Sequence, residues 1–152
     1  MKITSILACF LFIAMYSTAQ TSNPNYDSTL AKTLGADEFG MKMYTMVILK
    51  TGTNTTESKE SKDTLFAGHL ANIKRLADLN KLVIAGPFGK NDKNFRGIFI
   101  LNVSNEAEAM ALLETDPAIK AKLLQPELYP WYGSAAISEY LKSHDKIWKA
   151  KP

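Results

Sequence analysis

Cysteine is almost absent from this sequence: Cys9 is the only one, and it lies inside an apolar N-terminal run. If that run is removed, the remaining chain holds no thiol, which excludes disulfides, zinc–thiolate sites and cysteine nucleophiles. The two histidines, His69 and His144, lie far apart in sequence and lack partners at ligand spacing, so no metal site is predicted. His144 lies in the charged stretch KSHDK and is expected to be solvated.

Strong charge of one sign is also missing. The chain carries 18 Lys and Arg against 15 Asp and Glu, a net charge of +3, and no basic run follows one helix face. Nucleic-acid binding is therefore not expected. No glycine-rich phosphate loop is present, and no cofactor is predicted. The GxSxG elbow of serine hydrolases is also absent. With 46% hydrophobic residues, the 152-residue chain can form one domain with a proper core.

The N-terminus has the pattern of an export signal. Lys2 precedes the apolar run ITSILACFLFIAMY, and the small-x-small triplet STA follows at 17–19. This pattern predicts a signal peptide over residues 1–19, cut after Ala19, and hence a periplasmic or secreted protein. The run is too short for an ordinary membrane span, so no stable membrane insertion is expected after cleavage. An uncleaved anchor is the alternative, and lipidation at Cys9 is a weaker one.

The remaining chain divides into a polar tether over 20–40, a domain over 41–134, and an amphipathic helix with its tail over 135–152. Patterning within the domain alternates between strands and helices. In chain order it predicts a strand at 41–50, a helix at 64–79, strands at 81–87 and 95–103, helices from 105 and 116, and a last strand at LYPWYG. This β-α-β-β-α-β order predicts an α+β, ferredoxin-like split fold with a four-stranded antiparallel sheet.

Two of these strands are apolar on both faces. In the strand that begins at Phe95, Phe99 and Leu101 alternate with Ile98 and Ile100. Strands of this kind are buried on both faces, and two helices cover only one face of a four-stranded sheet. We therefore expect a homodimer in which the second face meets the same face of an identical chain.

Three segments give the chain a specific resemblance. They are FAGHLANIKRLADLNKLVIAGPF, RGIFILNVSNEAEAMALLETDP and LYPWYG. Together they resemble the YCII-related (YciI-like) family of dimeric α+β barrel proteins over roughly residues 41–134. The resemblance implies a ferredoxin-like fold, dimerisation, and a site built on His69 and Asp116. A few relatives are associated with removing halide from hydroxylated aromatic rings. The export signal, the long polar loop and the C-terminal helix depart from the pattern, so a cytoplasmic catabolic role does not transfer.

His69 and Asp116 are the candidate catalytic residues. His69 falls on the inward, apolar stripe of its helix, and an imidazole titrates near neutral pH, which suits proton transfer. A core histidine bonded to a backbone carbonyl is the alternative interpretation. Asp116 before Pro117 is also what a helix N-cap requires. In a plain split βαβ fold the two residues would lie towards opposite ends of the sheet, so their contact needs the short helix after Pro117 or a second subunit.

Four more residues are candidates for ligand binding: Gly86, Pro87, Arg96 and Trp131. Gly86 and Pro87 end a strand and suit a cleft floor or a turn. Arg96 is expected to hold an anionic group or to lie on the surface. Trp131 is expected to wall an aromatic ligand or to provide core and interface bulk.

These features predict an exported, cofactor-free enzyme that uses a His-Asp dyad for acid/base chemistry on a small, cyclic or aromatic molecule. Isomerase, lyase and hydrolase chemistry all fit such a dyad. The alternatives are a non-catalytic dimeric module of the cell envelope that binds a small ligand, and a purely structural envelope protein.

Overall fold

The computed structural model describes residues 23–144 and 146–149, so the predicted signal peptide lies outside the described residues. The elements in chain order are α1 (Ser28–Leu34), β1 (Met41–Thr51), α2 (Lys59–Asp78), β2 (Leu82–Pro87), β3 (Phe95–Leu101), α3 (Glu106–Leu113), α4 (Pro117–Lys120), β4 (Leu124–Ser134), a 3-10 helix (Ala135–Tyr140) and α5 (Leu141–His144). Within this part of the chain, no helix is both long and apolar enough to span a membrane.

The four strands form one antiparallel sheet in the order β2-β3-β1-β4. The central strand β1 places Val47 opposite Phe99 of β3 and opposite Leu128 of β4. This order and direction, with helices following β1 and β3, confirm the predicted ferredoxin-like α+β fold.

Side-chain caps fix where the main helices begin. Ser58 accepts a hydrogen bond from the backbone N–H of Ser61 and starts α2. Asn105 accepts from the N–H of Glu108 at 3.0 Å and starts α3, as the sequence pattern predicts. Each cap satisfies one of the donors that a helix N-terminus leaves without an intrahelical partner.

One face of the sheet packs against the helices and holds the main core. Val47, Phe99 and Leu101 of the sheet lie in the same buried cluster as Leu76 of α2 and Leu113 of α3. All five are at most 3% exposed. This packing fixes the position of α2, whose inward face also carries His69.

The second face is partly covered by the chain's own C-terminal segment. Tyr44, Val83 and Ile100 are buried there, with Ile137 packed against them. The sequence predicts one amphipathic helix from Ile137, and this is wrong: the segment is a 3-10 helix followed by a single α-helical turn. A longer straight helix would leave the sheet, whereas this segment stays against it, with Ala135 buried and Ile137 partly buried.

Candidate functional site

His69 and Asp116 are directly hydrogen-bonded, with 2.7 Å between Nδ1 of the ring and Oδ2 of the carboxylate. The His69 side chain is 11% exposed and that of Asp116 is 1% exposed. The pair is therefore almost withdrawn from solvent, and only the histidine reaches an open space. Such burial strengthens the electrostatic interaction and makes an unpaired charge costly.

The neighbours of the pair, Gly68 and Pro117, explain how it forms. A Cβ built on Gly68 would lie 2.6 Å from Cγ of Pro117. Only a glycine at this position therefore lets α4 approach α2 so closely. Because Gly68 precedes His69 and Pro117 follows Asp116, the same approach brings the ring and the carboxylate together. The short helix α4 thus closes the distance that a plain split βαβ fold would leave, without a second subunit.

A polar network one turn further along α2 holds the α3–α4 connection in place. The Oδ1 atom of Asn72 accepts hydrogen bonds from Nε and Nη2 of Arg75 at 3.1 and 2.8 Å. Nη2 of Arg75 also donates to the hydroxyl of Thr115 at 2.7 Å, and that hydroxyl lies 3.1 Å from Oδ1 of Asn72. Thr115 directly precedes Asp116, so the network fixes the backbone that carries the carboxylate. Asn72 is buried, which makes these bonds energetically significant.

Asp116 is both a helix cap and the partner of His69. Its Oδ1 atom accepts from the backbone N–H groups of Ala118 at 2.9 Å and Ile119 at 3.3 Å, while Oδ2 faces the imidazole. The sequence predicts the cap and leaves open whether the same residue also meets His69; one carboxylate makes both sets of bonds. A cap orients the carboxylate rigidly, because its backbone partners belong to α4 itself.

Burial on its own would raise the pKa of Asp116, but the hydrogen bond and the charge of His69, with the backbone donors of Ile119 and Ala118, outweigh it and lower that pKa. The carboxylate is therefore ionised at neutral pH and can only accept hydrogen bonds. It follows that Nδ1 of His69 carries the proton of the shared bond. In the neutral ring, the lone pair then lies on Nε2.

Two aromatic rings fix the orientation of the imidazole. The ring of Phe99 stacks on that of His69 at a centroid distance of 5.8 Å and an interplanar angle of 21°. Phe66 approaches edge-on, at 6.1 Å and 87°. With Nδ1 bonded to Asp116, rotation of the ring would break these contacts, so Nε2 has a fixed position.

The imidazole opens onto a cavity of about 530 Å³ between α2, the sheet and the C-terminal segment. Its polar lining side chains are His69, Arg96, Tyr140 and His144. The apolar remainder of the wall is formed by Leu49, Phe66, Leu70, Ile73, Ala77, Leu82, Val83, Ala85, Gly86, Pro87, Gly97, Phe99, Leu124 and Leu141. Cavities of this size and composition suit small organic molecules.

Three of the four residues considered for ligand binding line this cavity: Gly86, Pro87 and Arg96. Trp131 does not, and the expectation that it walls a ligand there is not met. Its ring lies against Tyr44 at 5.6 Å between centroids, within the cluster on the second face of the sheet. It also covers Gly133, where a Cβ would come within 2.4 Å of the indole.

Several residues that build the site are not among those predicted from the sequence. Gly68 directly precedes the predicted histidine, and Asn72 lies about one helical turn after it. A glycine and an amide close to the inward stripe of a helix are unusual, and they were the available signals for these two residues. His144 was expected to be solvated; it is exposed, yet it also lines the cavity. No cluster of three or more potential metal ligands occurs among the residues that the structure describes.

The fold and the site define a small ferredoxin-like α+β protein with a buried His–Asp pair on an apolar cavity. The model of the YCII-related domain matches residues 43–131, more than half of the chain. The chain belongs to the YCII-related family.

A solved structure of 5-chloro-2-hydroxyhydroquinone dehydrochlorinase from Burkholderia phenoliruptrix, in complex with 2,5-dihydroxybenzoquinone, is 24% identical. The alignment covers 57% of this chain and 92% of that chain, with a TM-score of 0.41. Among curated proteins, none matches the sequence.

Proposed function

We propose that this protein is a small enzyme in which His69 is a general acid/base and Asp116 its positioning partner. The observation that supports this proposal most directly is the 2.7 Å bond between Nδ1 and the buried carboxylate, at the wall of a cavity. It leaves Nε2 as the one ring nitrogen that can exchange a proton with a bound molecule. A base and an orienting carboxylate are the two parts that such catalysis requires.

In the proposed reaction, Nε2 accepts a proton from a carbon or a hydroxyl group of the substrate. The imidazolium that forms is stabilised by the ionised carboxylate of Asp116, which remains ionised throughout. The same proton then returns to another carbon, giving an isomerisation, or to a leaving group, giving an elimination. Neither outcome needs an oxidant or a reductant. General acid/base catalysis of this kind contributes about 10²–10⁴-fold in rate.

The cavity wall supports a small, apolar and cyclic substrate. Most of its lining side chains are aliphatic or aromatic, and Phe66 and Phe99 present ring surface beside the imidazole. A flat ring bound there would place its C–H or O–H groups near Nε2. Water is largely excluded from the pair, because the side chain of Asp116 is only 1% exposed.

Deuterium exchange tests this proposal without knowledge of the complete reaction. The protein is incubated in D₂O with cyclic ketones and phenols, and deuterium incorporation is followed by mass spectrometry. We expect the wild type to catalyse exchange, and His69→Gln to reduce the rate by about 10²-fold or more. Asp116→Asn should reduce it as well, whereas Asp63→Asn, on the exposed face of α2, should not. Equal exchange by wild type and His69→Gln would leave a binding module as the better description.

We also propose that the chain forms a homodimer through the second face of its sheet. Met46, Ile84 and Ile98 are only partly buried there, and Tyr129 is 44% exposed. The C-terminal segment covers part of this face, so the remaining apolar strip supports a smaller sheet-to-sheet contact than the sequence alone suggests. Association would remove that strip from water.

Export is the third part of the proposal, and it rests on the sequence of residues 1–19. Mass spectrometry of protein recovered from the periplasm or the medium should find an N-terminus at Gln20. Recovery of the full-length chain in the membrane fraction would instead indicate an uncleaved anchor.

A further inference from the structure

The C-terminal segment forms one wall of the cavity, and it lies outside the part of the chain that matches the family model. The matched region ends at residue 131, whereas Tyr140, Leu141 and His144 line the cavity. The cavity of this protein is therefore completed by residues outside the region that the family model matches.

Specific contacts hold this segment against the edge of the sheet. The backbone N–H of Ala135 donates to the carbonyl of Gly40 at 2.9 Å. The hydroxyl of Tyr140 donates to the carbonyl of Val83, at the register shift between Leu82 and Ile84 in the edge strand β2. The ring of Tyr140 meets that of His144 edge to face, at 6.1 Å and 84°. These contacts bring the second imidazole of the chain to the same cavity as His69.

The polar side chains of the lining are two imidazoles, a guanidinium and a hydroxyl. None of the described residues that line the cavity is acidic, and the hydroxyl of Tyr140 already donates to the carbonyl of Val83. Arg96 and His144 remain, and neither makes an ion pair with a carboxylate of the described chain. His69 differs from them, because its Nδ1 is already bonded to the carboxylate of Asp116. The cavity thus has the His69–Asp116 pair and two further side chains with N–H donors, those of Arg96 and His144.

We infer that the C-terminal segment makes this cavity selective for a ligand with an apolar body and one acidic group, which Arg96 and His144 bind. A guanidinium binds carboxylate and phenolate oxygens through several N–H donors, and an imidazole N–H adds another. The other fourteen lining residues are apolar or glycine and suit the body of the ligand. This inference rests on the proposed function of the same cavity, since it names the class of substrate that would be presented to His69.

Two probes of the same shape separate charge from apolar contact: 2-naphthoate and its neutral amide, 2-naphthamide. Binding of each to the ¹⁵N-labelled protein is followed near neutral pH by ¹H–¹⁵N NMR, which gives both the affinity and the position of the site. We expect 2-naphthoate to shift amide signals of α2 and of the C-terminal segment, and to bind about ten-fold more tightly than the amide.

Variants then assign the effect to residues. His144→Gln and Arg96→Gln should each weaken binding of 2-naphthoate about five- to ten-fold and leave 2-naphthamide unchanged. Leu141→Ala should weaken both probes. Lys93→Gln, which removes a cation that does not line the cavity, should affect neither. His144 and Arg96 are exposed, so these substitutions do not threaten the fold.

Equal affinity for the two probes would overturn the inference, as would binding of 2-naphthoate that His144→Gln leaves unchanged. Shifts confined to the second face of the sheet, or no binding of either probe, would overturn it too. Because these measurements need no turnover, their outcome is separate from the exchange experiment with His69→Gln. The inference can fail while that experiment succeeds, and the proposed catalysis can fail while 2-naphthoate still depends on Arg96 and His144.

Discussion

Pro117 packs against α2 at the one point where the helix has no side chain, Gly68. A Cβ at Gly68 would lie 2.6 Å from Cγ of the proline, closer than Cβ contacts in proteins. The residues next to these two in sequence are His69 and Asp116, whose side chains are bonded at 2.7 Å. The hydrogen bond at the site thus depends on a close approach between two helices.

Gly68→Ala should therefore move α4 away from α2. Overpacking of this kind costs about 1–3 kcal/mol, while alanine recovers about 1 kcal/mol of helix propensity. We expect a small net loss in the free energy of unfolding, together with a lengthened or broken His69–Asp116 bond. Urea unfolding measures the first effect and a crystal structure the second. Gly86→Ala is the matched control, because its Cβ would meet nothing within 4 Å. An unchanged bond in Gly68→Ala would show that the approach is not needed.

Asp116 should make stability depend on pH in the acid range. Its pKa is lower in the folded protein than the usual 3.8, so its contribution to stability is complete above that value and is lost as the pH falls below it. The free energy of unfolding of the wild type should therefore fall more steeply with acidification than that of Asp116→Asn. Chemical unfolding between about pH 5 and 3 measures both slopes. Parallel slopes would mean that the carboxylate is not stabilised by folding.

Asp116→Ala removes the cap as well as the partner of His69. The expected loss in the free energy of unfolding is about 2–4 kcal/mol, from a lost cap and a lost hydrogen bond to a charged group. Asp63→Ala provides the comparison, since Asp63 lies on the exposed face of α2 and pairs only with Lys59 among the described ion pairs. Its loss should stay below about 1 kcal/mol.

The hydrogen-bond network of Asn72, Arg75 and Thr115 gives a further prediction. Thr115→Val removes the hydroxyl that accepts from Arg75 and lies beside Asn72, and should cost about 1–3 kcal/mol of stability while slowing deuterium exchange. Thr33→Val is the matched control, because Thr33 is exposed and its hydroxyl, among the bonds of the described residues, donates only to the backbone carbonyl of Thr29 in its own helix. Full exchange activity in Thr115→Val would limit the network to a structural role.

A single charged substitution on the second face of the sheet should dissociate the proposed dimer. Light scattering of the wild type should give twice the mass of the chain, and Ile98→Lys, which places a charge in the apolar strip of the second face, should give a monomer. Leu79→Lys, at the exposed end of α2, should remain a dimer. A monomeric wild type at micromolar concentration would contradict the proposal.

Much of this architecture is visible in the sequence, because periodicity reports which face of an element is buried. The alternation of Phe99 and Leu101 with Ile98 and Ile100 predicted a strand that is apolar on both faces. Asn105 predicted the start of α3. The prediction of one C-terminal α-helix was wrong, because a 3-10 segment that packs along the sheet has the same amphipathic pattern. Local pattern carries no information about which tertiary surface a segment will meet.

The residues of the site could be predicted from the sequence, but their contact could not, for a related reason. His69 and Asp116 were recognisable from residue type and family resemblance, but their contact depends on the fit of Pro117 against Gly68, which is a matter of distances between helices. His144 illustrates the same limit: a histidine in a charged stretch is usually solvated, and only the path of the chain brings it to the cavity. For Trp131 the sequence left a ligand wall and core bulk as alternatives, because alternation along β4 does not tell which face holds the cavity; the ring packs in the cluster on the second face.

The proposed role of His69 as a base requires one particular tautomer of its ring. Long-range ¹H–¹⁵N NMR of the imidazole nitrogens identifies which of them carries the proton in the neutral ring. We predict a protonated Nδ1 and an unprotonated Nε2 in the wild type, with that preference lost in Asp116→Asn. A neutral ring protonated at Nε2 in the wild type, or the same tautomer populations in both proteins, would contradict the assignment of His69 as the base.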